Sequence, residues 1–229
     1  MVNKKIGAII QARTSSSRLP GKIKLAIGDK QLIERCVAAA SKCKKIDLVV
    51  IATTREKADD WLVRKYQKNK FVKVFRGDTN DVLSRFSNAA KEFRLDTIIR
   101  LTSDDPFKPT WLIEKFIDMS IKEELDYISN TINPTFPEGL DIELISRKAL
   151  DLASKESKLL SEKEHVTPYI WNNLNLFKYH SEELKKDYSW ARLTVDYDKD
   201  LLRMNRLWEI FGDKLNSEEI FNCLNCKIE

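Results

Sequence analysis

The sequence contains few of the residues that mark fibrous, disulfide-rich or low-complexity proteins. Its 229 residues include six glycines, six prolines and four cysteines, with no biased tract or internal repeat. No apolar stretch approaches the roughly 20 residues that span a bilayer. The apolar run that follows Lys5 is also too short for a signal peptide. We therefore expect a cytoplasmic protein without a membrane segment.

Residues of the kind that bind zinc are scarce. The sequence has two histidines, with no pair at metal-ligand spacing. Cys223 and Cys226 form a single C-x-x-C without a second pair. Cys36 and Cys43 lie in a helical pattern that predicts a shared apolar face. We expect all four cysteines to be reduced, structural thiols rather than a metal or redox site.

Neither sign of charge is in large excess. Forty basic and 35 acidic residues give a net charge of +5, with no long basic block. Net charge therefore does not indicate nucleic-acid binding. The local distribution is more informative, because residues 12–24 contain four cations and no carboxylate. The apolar content of 42% is that of an ordinary globular protein.

Apolar runs of strand type alternate with helical periodicity in the first half of the chain. We predict strands over residues 6–10, 48–52, 72–75 and 97–101, and helices over 31–43, 57–67, 78–93 and 111–123. This order predicts an α/β fold whose mainly parallel sheet is covered on both faces.

The second half has a mixed pattern. We predict strands over 127–129, 140–145 and 190–195, and helices over 147–157, 162–172 and from about 198 and 217. No linker separates the halves, so we expect one domain over residues 1–229 with a subdomain boundary near residue 125.

The loop over residues 11–22 has the chemistry of a polyphosphate site. Arg13 and Arg18 can each donate paired hydrogen bonds to phosphate oxygens, and Lys22 adds a point charge. The spacing is neither that of a P-loop nor that of a dinucleotide-binding loop. The alternative is a solvated loop whose serines form turns and caps. Three cations without acids would then repel one another, which favours an anion.

Further polar residues follow predicted strands, where open α/β sheets bind ligands. Thr53 follows the second strand, Ser103 and Asp104 follow the fourth, and Asp196 follows the last. Magnesium needs one or two protein carboxylates besides substrate phosphates. Asp104 and Asp196 are candidates, and on spacing alone a turn or a helix cap is an equal alternative for each. We expect Asp105 to cap or turn the backbone before Pro106.

Six motifs in order resemble the CTP-dependent sugar cytidylyltransferases over nearly the whole chain. The match is strongest with the spore-coat polysaccharide biosynthesis branch, and the CMP-Kdo and CMP-sialate synthetases are more distant relatives. The motifs lie at residues 9–22, 76–85, 100–106, 136–143, 164–169 and 194–196. Thr14 and Ser17 replace the usual methionine and threonine of the first motif, but the cations keep their register.

This resemblance implies a Rossmann-like nucleotide-diphospho-sugar transferase fold with a three-layer arrangement. It implies that residues 1–125 bind CTP and that residues 126–229 bind the acceptor and form a homodimer. Arg13 and Lys22 would be catalytic, and Asp104 and Asp196 would hold Mg²⁺. The predicted nucleotide-binding residues are Gln11, Ala12, Arg13, Arg18, Lys22, Thr53, Asp81 and Ser103.

The acceptor is predicted to lie against the segment over residues 130–143. Carboxylates there favour hydroxyl or amine groups, whereas an anionic acceptor would need cations nearby. An equal alternative for Asp141 and Glu143 is that both side chains simply point outward to solvent from a half-exposed strand. The predicted acceptor-binding residues are Arg100, Asn130, Glu138, Asp141, Glu143, His165 and Arg192.

The reaction that follows is attack of an acceptor oxygen on the α-phosphorus of CTP, with release of pyrophosphate. The acceptor would be a sugar acid, a sugar or polyol phosphate, or a phosphonate, used for cell-surface glycan synthesis. One alternative is a glycosyltransferase that uses a nucleotide sugar, although the arginine-rich loop suits a full triphosphate. Another class is a non-catalytic nucleotide-binding protein or a basic nucleic-acid-binding module, and we expect neither nucleic acid nor membrane as a partner.

Overall fold

The computed structural model describes residues 4–225, which contain a seven-stranded sheet and a two-stranded hairpin. The strands are β1 (Ile6–Gln11), β2 (Ala26–Ile27), β3 (Lys30–Gln31), β4 (Leu48–Thr54), β5 (Val72–Gly77), β6 (Thr97–Thr102), β7 (Tyr127–Ser129), β8 (Glu143–Ser146) and β9 (Tyr179–Ser181). The large sheet has the order β5-β4-β1-β6-β8-β7-β9, and β2 pairs with β3.

The first four large-sheet strands run parallel, and the mixed part begins at β8. Strand β8 is antiparallel to both β6 and β7, while β9 is parallel to β7. Gln11 of β1 is in register with Thr102 of β6, so these strands end level with each other. Strands β1 and β4 are buried almost throughout, as expected for apolar strands covered on both faces. The predicted mixed, mainly parallel sheet is confirmed.

Helices cover both faces of this sheet. They are α1 (Leu32–Lys42), α2 (Asp60–Tyr66), α3 (Val82–Glu92), α4 (Thr110–Glu123), α5 (Arg147–Glu156), α6 (Leu160–His165), α7 (Pro168–Asn172), α8 (Asp198–Phe211) and α9 (Ile220–Asn225). Helices α1 and α4 bury Cys36 and Phe116 against one face, and α3 and α5 bury Phe86 and Leu150 against the other. A third apolar cluster joins α8 and α9 to the β2–β3 hairpin. No helix between residues 4 and 225 is long and apolar enough to cross a membrane.

The described cysteines are buried and form no disulfide. Cys36 and Cys43 lie in one apolar cluster, and Cys223 lies in the C-terminal cluster. Burial raises the pKa of the Cys36 and Cys43 thiols, which keeps them protonated and unreactive. Cys226 lies outside the described residues, so the structure does not bear on the C-x-x-C pair.

The strand predicted over residues 190–195 is wrong. This segment is extended but forms only an isolated parallel bridge between Glu138 and Arg192. Leu193 N donates to Glu138 O at 2.7 Å, and Glu138 N donates to Ala191 O at 3.0 Å. The partner segment does not extend the ladder, because Gly139 has a φ of 101° and the Leu140 amide, the next one on that side, donates back to the Pro137 carbonyl at 3.1 Å.

Two other predicted elements are shorter than expected. Within residues 140–145, only the end belongs to β8, because the Asn130 side chain takes the Leu140 carbonyl and the Ile142 amide at 3.0 and 2.8 Å. The helix predicted over 162–172 is two short helices, α6 and α7. Val166, at a φ of 73°, ends α6, and Pro168 begins α7.

The strands of the two predicted halves belong to one sheet. Strand β6 precedes residue 125 and pairs with β8, which follows it. The pairing joins the two predicted halves, and one domain over residues 1–229 stays a prediction. The division into a nucleotide-binding half and an acceptor half stays a prediction.

Candidate active site

A polar cavity of about 320 Å³ lies where β1 and β6 end. Its wall combines the 11–22 loop, the end of β6, the start of α3 and the end of α6. Five basic side chains and two carboxylates line it, an excess of three positive charges. The basic residues are Arg13, Arg18, Lys22, Arg85 and Arg100, and the acidic residues are Asp104 and Glu164. The cavity therefore favours an anionic ligand.

The 11–22 loop is fixed by hydrogen bonds at Thr14. Asp59 accepts from the Thr14 amide at 2.7 Å, and the Trp61 indole donates to the Thr14 hydroxyl at 2.9 Å. The Gly21 amide closes the loop by donating to the Thr14 carbonyl at 2.9 Å, with Gly21 at a φ of 73°. The threonine that replaces the usual methionine of the resembled motif thus anchors the loop.

Lys22 joins the loop to two carboxylates. Its ammonium group lies 2.8 Å from Asp104 Oδ2 and 3.0 Å from Asp196 Oδ1, and it also donates to the Val195 carbonyl. Burial alone would lower the pKa of Lys22, but the charges and hydrogen bonds of Asp104 and Asp196 outweigh it, so the pKa is raised. Lys22 is therefore a charged, buried member of the site.

Asp196 is surrounded by cations. Arg18 and Lys22 contact one of its oxygens at 2.7 and 3.0 Å, and Arg192 contacts the other at 2.6 Å. Burial would raise the pKa of Asp196, but Lys22, Arg192 and Arg18 together lower it. The alternative role of helix cap belongs to Asp200, which accepts from the amides of Asp196 and Tyr197 at 3.0 Å.

The two predicted metal ligands converge on one cation. Asp104 and Asp196 both contact the Lys22 ammonium, and the Asp104 side chain is 29% exposed toward the cavity that it lines. No group of three or more His, Cys, Asp or Glu side chains in residues 4–225 is arranged to hold a metal. Two hard oxygen donors beside a cation-lined cavity nevertheless fit magnesium, which commonly takes its remaining ligands from phosphates and water.

Asp105 differs from its predicted role as a residue that only caps or turns the backbone. It is buried, and its carboxylate contacts the fully buried Lys108 ammonium at 2.6 Å. The Thr102 hydroxyl also donates to it. The same Lys108 ammonium donates to the Asp141 carbonyl at 2.6 Å. Asp105 and Lys108 therefore form a buried ion pair that holds the end of β6 against the 137–142 segment.

Two of the predicted acceptor-binding residues line the cavity. Arg100 does so while paired with Glu143, and its guanidinium also donates to Gln11 Oε1 at 3.2 Å. His165 is exposed at the rim, where α6 ends. The carboxylate of Glu143 also accepts from the Tyr127 hydroxyl and is 3% exposed, so it is neither outward-facing nor open to a ligand.

The remaining predicted acceptor residues do not line the cavity. Asn130 is buried, and its amide is engaged by the backbone on either side of Asp141. Glu138 is paired with Arg192, which also contacts Asp196. Burial, and then the charge of Asp105, raises the pKa of Asp141 to about 7. Binding of the acceptor by these side chains stays a prediction.

Most predicted nucleotide-binding residues do line the cavity. They are Gln11, Ala12, Arg13, Arg18, Lys22 and Ser103. Thr53 is instead buried within β4, and Asp81 caps α3 by accepting from the Ser84 amide at 2.7 Å. Arg85, Thr102 and Glu164 line the cavity but were not predicted. The sequence does contain a signal for the burial of Arg85, because Arg85 lies three residues after Val82 and so falls on the apolar side of α3.

The comparison with protein families agrees with this geometry. A model described as cytidylyltransferase matches residues 7–207. The chain belongs to the cytidylyltransferase family. It is accordingly a CTP-dependent nucleotidyltransferase, which displaces the glycosyltransferase and non-catalytic alternatives.

Two relatives match this cytidylyltransferase over most of the length of both chains. An uncharacterized protein of Methanocaldococcus jannaschii is 42% identical over 200 residues, covering 86% of this chain and 80% of that protein. The spore coat polysaccharide biosynthesis protein SpsF of Bacillus subtilis is 32% identical over 226 residues, covering 95% of this chain and 92% of that protein. The predicted resemblance to the spore-coat branch is confirmed.

Solved structures confirm the predicted fold. A cytidylyltransferase from Leptospira borgpetersenii superimposes with a TM-score of 0.86 at 33% identity, over 91% of this chain and 88% of that one. A CMP:2-keto-3-deoxy-manno-octonic acid synthetase complexed with CTP gives a TM-score of 0.68 at 18% identity, over 90% and 99% of the two chains. The fold is that of the Rossmann-like nucleotide-diphospho-sugar transferases.

Proposed function

We propose that this cytidylyltransferase transfers CMP from CTP to a sugar acid, a sugar or polyol phosphate, or a phosphonate, for cell-surface glycan synthesis. The observation that carries the proposal is the cation-lined cavity at the ends of β1 and β6, with carboxylates beside it. The relationship to a spore-coat polysaccharide protein and the fold shared with a CTP-bound sugar-acid synthetase support the glycan role.

The basic loop is the proposed triphosphate site. Arg13 is exposed and has no ion pair within residues 4–225, so it can bind phosphate without losing a protein partner. Arg18 is 53% exposed and can leave Asp196 for a phosphate oxygen. Lys22 is already held toward the cavity by two carboxylates. Such preorganised donors stabilise charge that moves onto pyrophosphate as it leaves.

Asp104 and Asp196 are the proposed magnesium ligands. Magnesium would polarise the α-phosphate and orient the leaving group. Asp104 offers a partly exposed carboxylate, whereas Asp196 would become available when Arg18 turns toward the triphosphate. In this arrangement the cations around Asp196 keep it ionised before nucleotide binds.

The acceptor is proposed to approach from the side of Arg100 and His165. Arg100 is held at the cavity by Glu143 and Gln11, where it can meet an anionic group of the acceptor. Asn130 and Lys108 hold the backbone around Asp141 and are proposed to position that carboxyl rather than contact the acceptor.

A pyrophosphate-release assay tests this function. The assay combines CTP, UTP, ATP or GTP with a panel of sugar acids, sugar phosphates, polyol phosphates and phosphonates. We expect pyrophosphate from CTP with one acceptor class. Arg13→Ala should abolish most of the signal, and Arg55→Ala, which removes an exposed arginine outside the cavity, should not. Release of a nucleoside diphosphate from a nucleotide sugar instead would contradict the proposal.

A homodimer formed through the second half is also proposed. Phe136 and Phe177, two apolar residues of the second half, are buried in the subunit core and are not available to the interface. Trp171 remains 48% exposed, close in sequence to Leu160 at 83%. Light scattering should give a dimer mass at micromolar concentration. Leu160→Glu should lower that mass, whereas Leu202→Glu on α8 should not, and a monomer at every concentration would contradict the dimer.

A further inference from the structure

Arg85 is a buried cation that the protein itself leaves without a counter-ion. It lies on α3, is 2% exposed and lines the cavity. One guanidinium nitrogen, Nη1, donates to the Asp78 carbonyl at 3.0 Å, while Nε is buried with no hydrogen-bond partner. Within residues 4–225, no carboxylate lies within 4.0 Å of its guanidinium group. A buried, unpaired charge of this kind is costly and is normally completed by a partner.

The surroundings of Arg85 favour the binding of an anion. Burial, and then the neighbouring charge of Arg13, lowers the pKa of Arg85 to about 10. At neutral pH the guanidinium is still protonated, so the cavity wall holds two adjacent positive charges. An anion placed between them would remove their repulsion and satisfy the free Nε donor.

The other cations of the cavity are differently placed. Lys22 and Arg18 are held by Asp196, and Arg100 is held by Glu143. Arg13 and Arg85 are the two cavity cations in the described chain that can bind an anion without breaking an ion pair. Arg13 is exposed at the loop and Arg85 is buried behind it, so together they present donors at two depths.

We propose that Arg85 acts with Arg13 as a phosphate-binding residue for the triphosphate of the nucleotide. The inference rests on the proposed function, because it takes the anion of this cavity to be CTP. Nη1 is occupied by the Asp78 carbonyl, which fixes the guanidinium so that its Nε edge remains for phosphate oxygens. Arginine suits this role because its planar group stays charged and binds oxygens in pairs.

Calorimetric titration with CTP, CDP, CMP and cytidine tests this inference. Arg85→Met keeps the length of the side chain and removes the charge. We expect it to weaken CTP binding by about 10- to 100-fold, the effect of one charged hydrogen-bonding group. The affinity for cytidine should stay unchanged. In the series CMP, CDP and CTP, the affinity should begin to fall at the first nucleotide that carries the phosphate contacted by Arg85. Arg64→Met, which removes an exposed arginine of α2, is the matched control.

The thermal stability of the nucleotide-free protein separates binding from structure. Because the variant loses a buried unpaired charge, Arg85→Met should melt at or above the wild-type temperature, whereas loss of a structural residue would lower it. Unchanged CTP affinity, or an equal loss for CTP and cytidine, would overturn the inference. Arg85→Lys is a second test. This variant keeps the positive charge, so it should retain part of the CTP affinity that Arg85→Met loses. If the wild-type chain did not bind CTP, the proposed function would fall as well.

Discussion

The ammonium nitrogen of Lys22 lies 2.8 Å from a carboxylate oxygen of Asp104, although the two residues are 82 positions apart. The same nitrogen reaches Asp196, a further 92 residues along the chain, at 3.0 Å. One buried lysine therefore ties together the 11–22 loop, the end of β6 and the segment before α8. Its loss is expected to lower the stability of the fold as well as the proposed phosphate binding.

Replacing Lys22 by alanine should reduce both stability and activity. The change leaves Asp196 buried with one cation fewer, which should lower the free energy of unfolding by about 3 kcal/mol. Losing a preorganised cation at the phosphates should also lower kcat by about 10²- to 10³-fold. Urea unfolding and pyrophosphate release measure the two effects.

Arg13→Ala is the matched comparison for Lys22→Ala. Arg13 is exposed and has no ion pair in the described chain, so its loss should lower activity and leave the free energy of unfolding within about 0.5 kcal/mol of wild type. Equal stability losses for the two variants would show that the Lys22 bridge does not stabilise the fold.

Gly139 should tolerate no side chain. Its φ is 101°, and a Cβ atom there would lie 2.7 Å from the backbone carbon of Leu193. Alanine should therefore cost about 3 kcal/mol, since both the backbone and the neighbouring segment are strained. Gly21→Ala is the control: its φ is 73°, but no atom lies within 4 Å, so the cost should be about 1 kcal/mol. Equal shifts in the urea midpoint would contradict a close approach at Gly139.

Asp141 should make stability fall as pH rises. Its pKa is about 7 in the folded chain and about 3.9 when unfolded, so the folded state binds an extra proton between these values. The unfolding free energy should therefore decrease from about pH 4 to pH 7. Asp141→Asn removes this titration, and its stability relative to wild type should be about 1–3 kcal/mol greater at pH 8 than at pH 5. The exposed Asp118→Asn control should show no such difference, and a pH-independent effect of Asp141→Asn would contradict the raised pKa.

The convergence of Asp104 and Asp196 was predictable because both follow extended apolar segments. The physical reason is different from the one expected. Asp196 does not end a sheet strand, and Val195 instead donates to the backbone carbonyl of Asp104 at 2.9 Å. Sequence periodicity detects an extended segment, but it does not show whether that segment pairs with a strand or with a loop.

The missed residues share a physical cause. Periodicity places Arg85 on the apolar side of α3, but a charged residue there is normally taken to reach solvent, and the same assumption hides the burial of Glu143 against Tyr127 and Arg100. Their burial depends on partners distant in sequence. The same holds for Asp105, which reads as a turn residue until Lys108 is placed beside it.

The magnesium prediction tests the proposed mechanism most directly. Asp104→Asn and Asp196→Asn should each lower turnover and raise the magnesium concentration needed for half-maximal rate, because each replaces a charged carboxylate by a neutral amide. Asp196→Asn should also destabilise the chain, since Arg18, Lys22 and Arg192 would lose their common anion. Asp104 is more exposed and has one cation partner, so its effect on unfolding should be smaller.

The choice of control for the metal variants follows from the structure. Asp105→Asn is unsuitable, because it would leave the ammonium of Lys108 buried without its counter-ion and unfold the site for an unrelated reason. Asp118, an exposed carboxylate on α4 paired with Lys45, is suitable, and Asp118→Asn should keep wild-type kinetics at every magnesium concentration. Rates should be measured from limiting to saturating magnesium with CTP held constant, and the folded fraction of each variant should be checked by urea unfolding. If Asp104→Asn and Asp196→Asn both kept the wild-type rate at limiting magnesium, these two carboxylates would not be the metal ligands, and their contact with Lys22 would be purely structural.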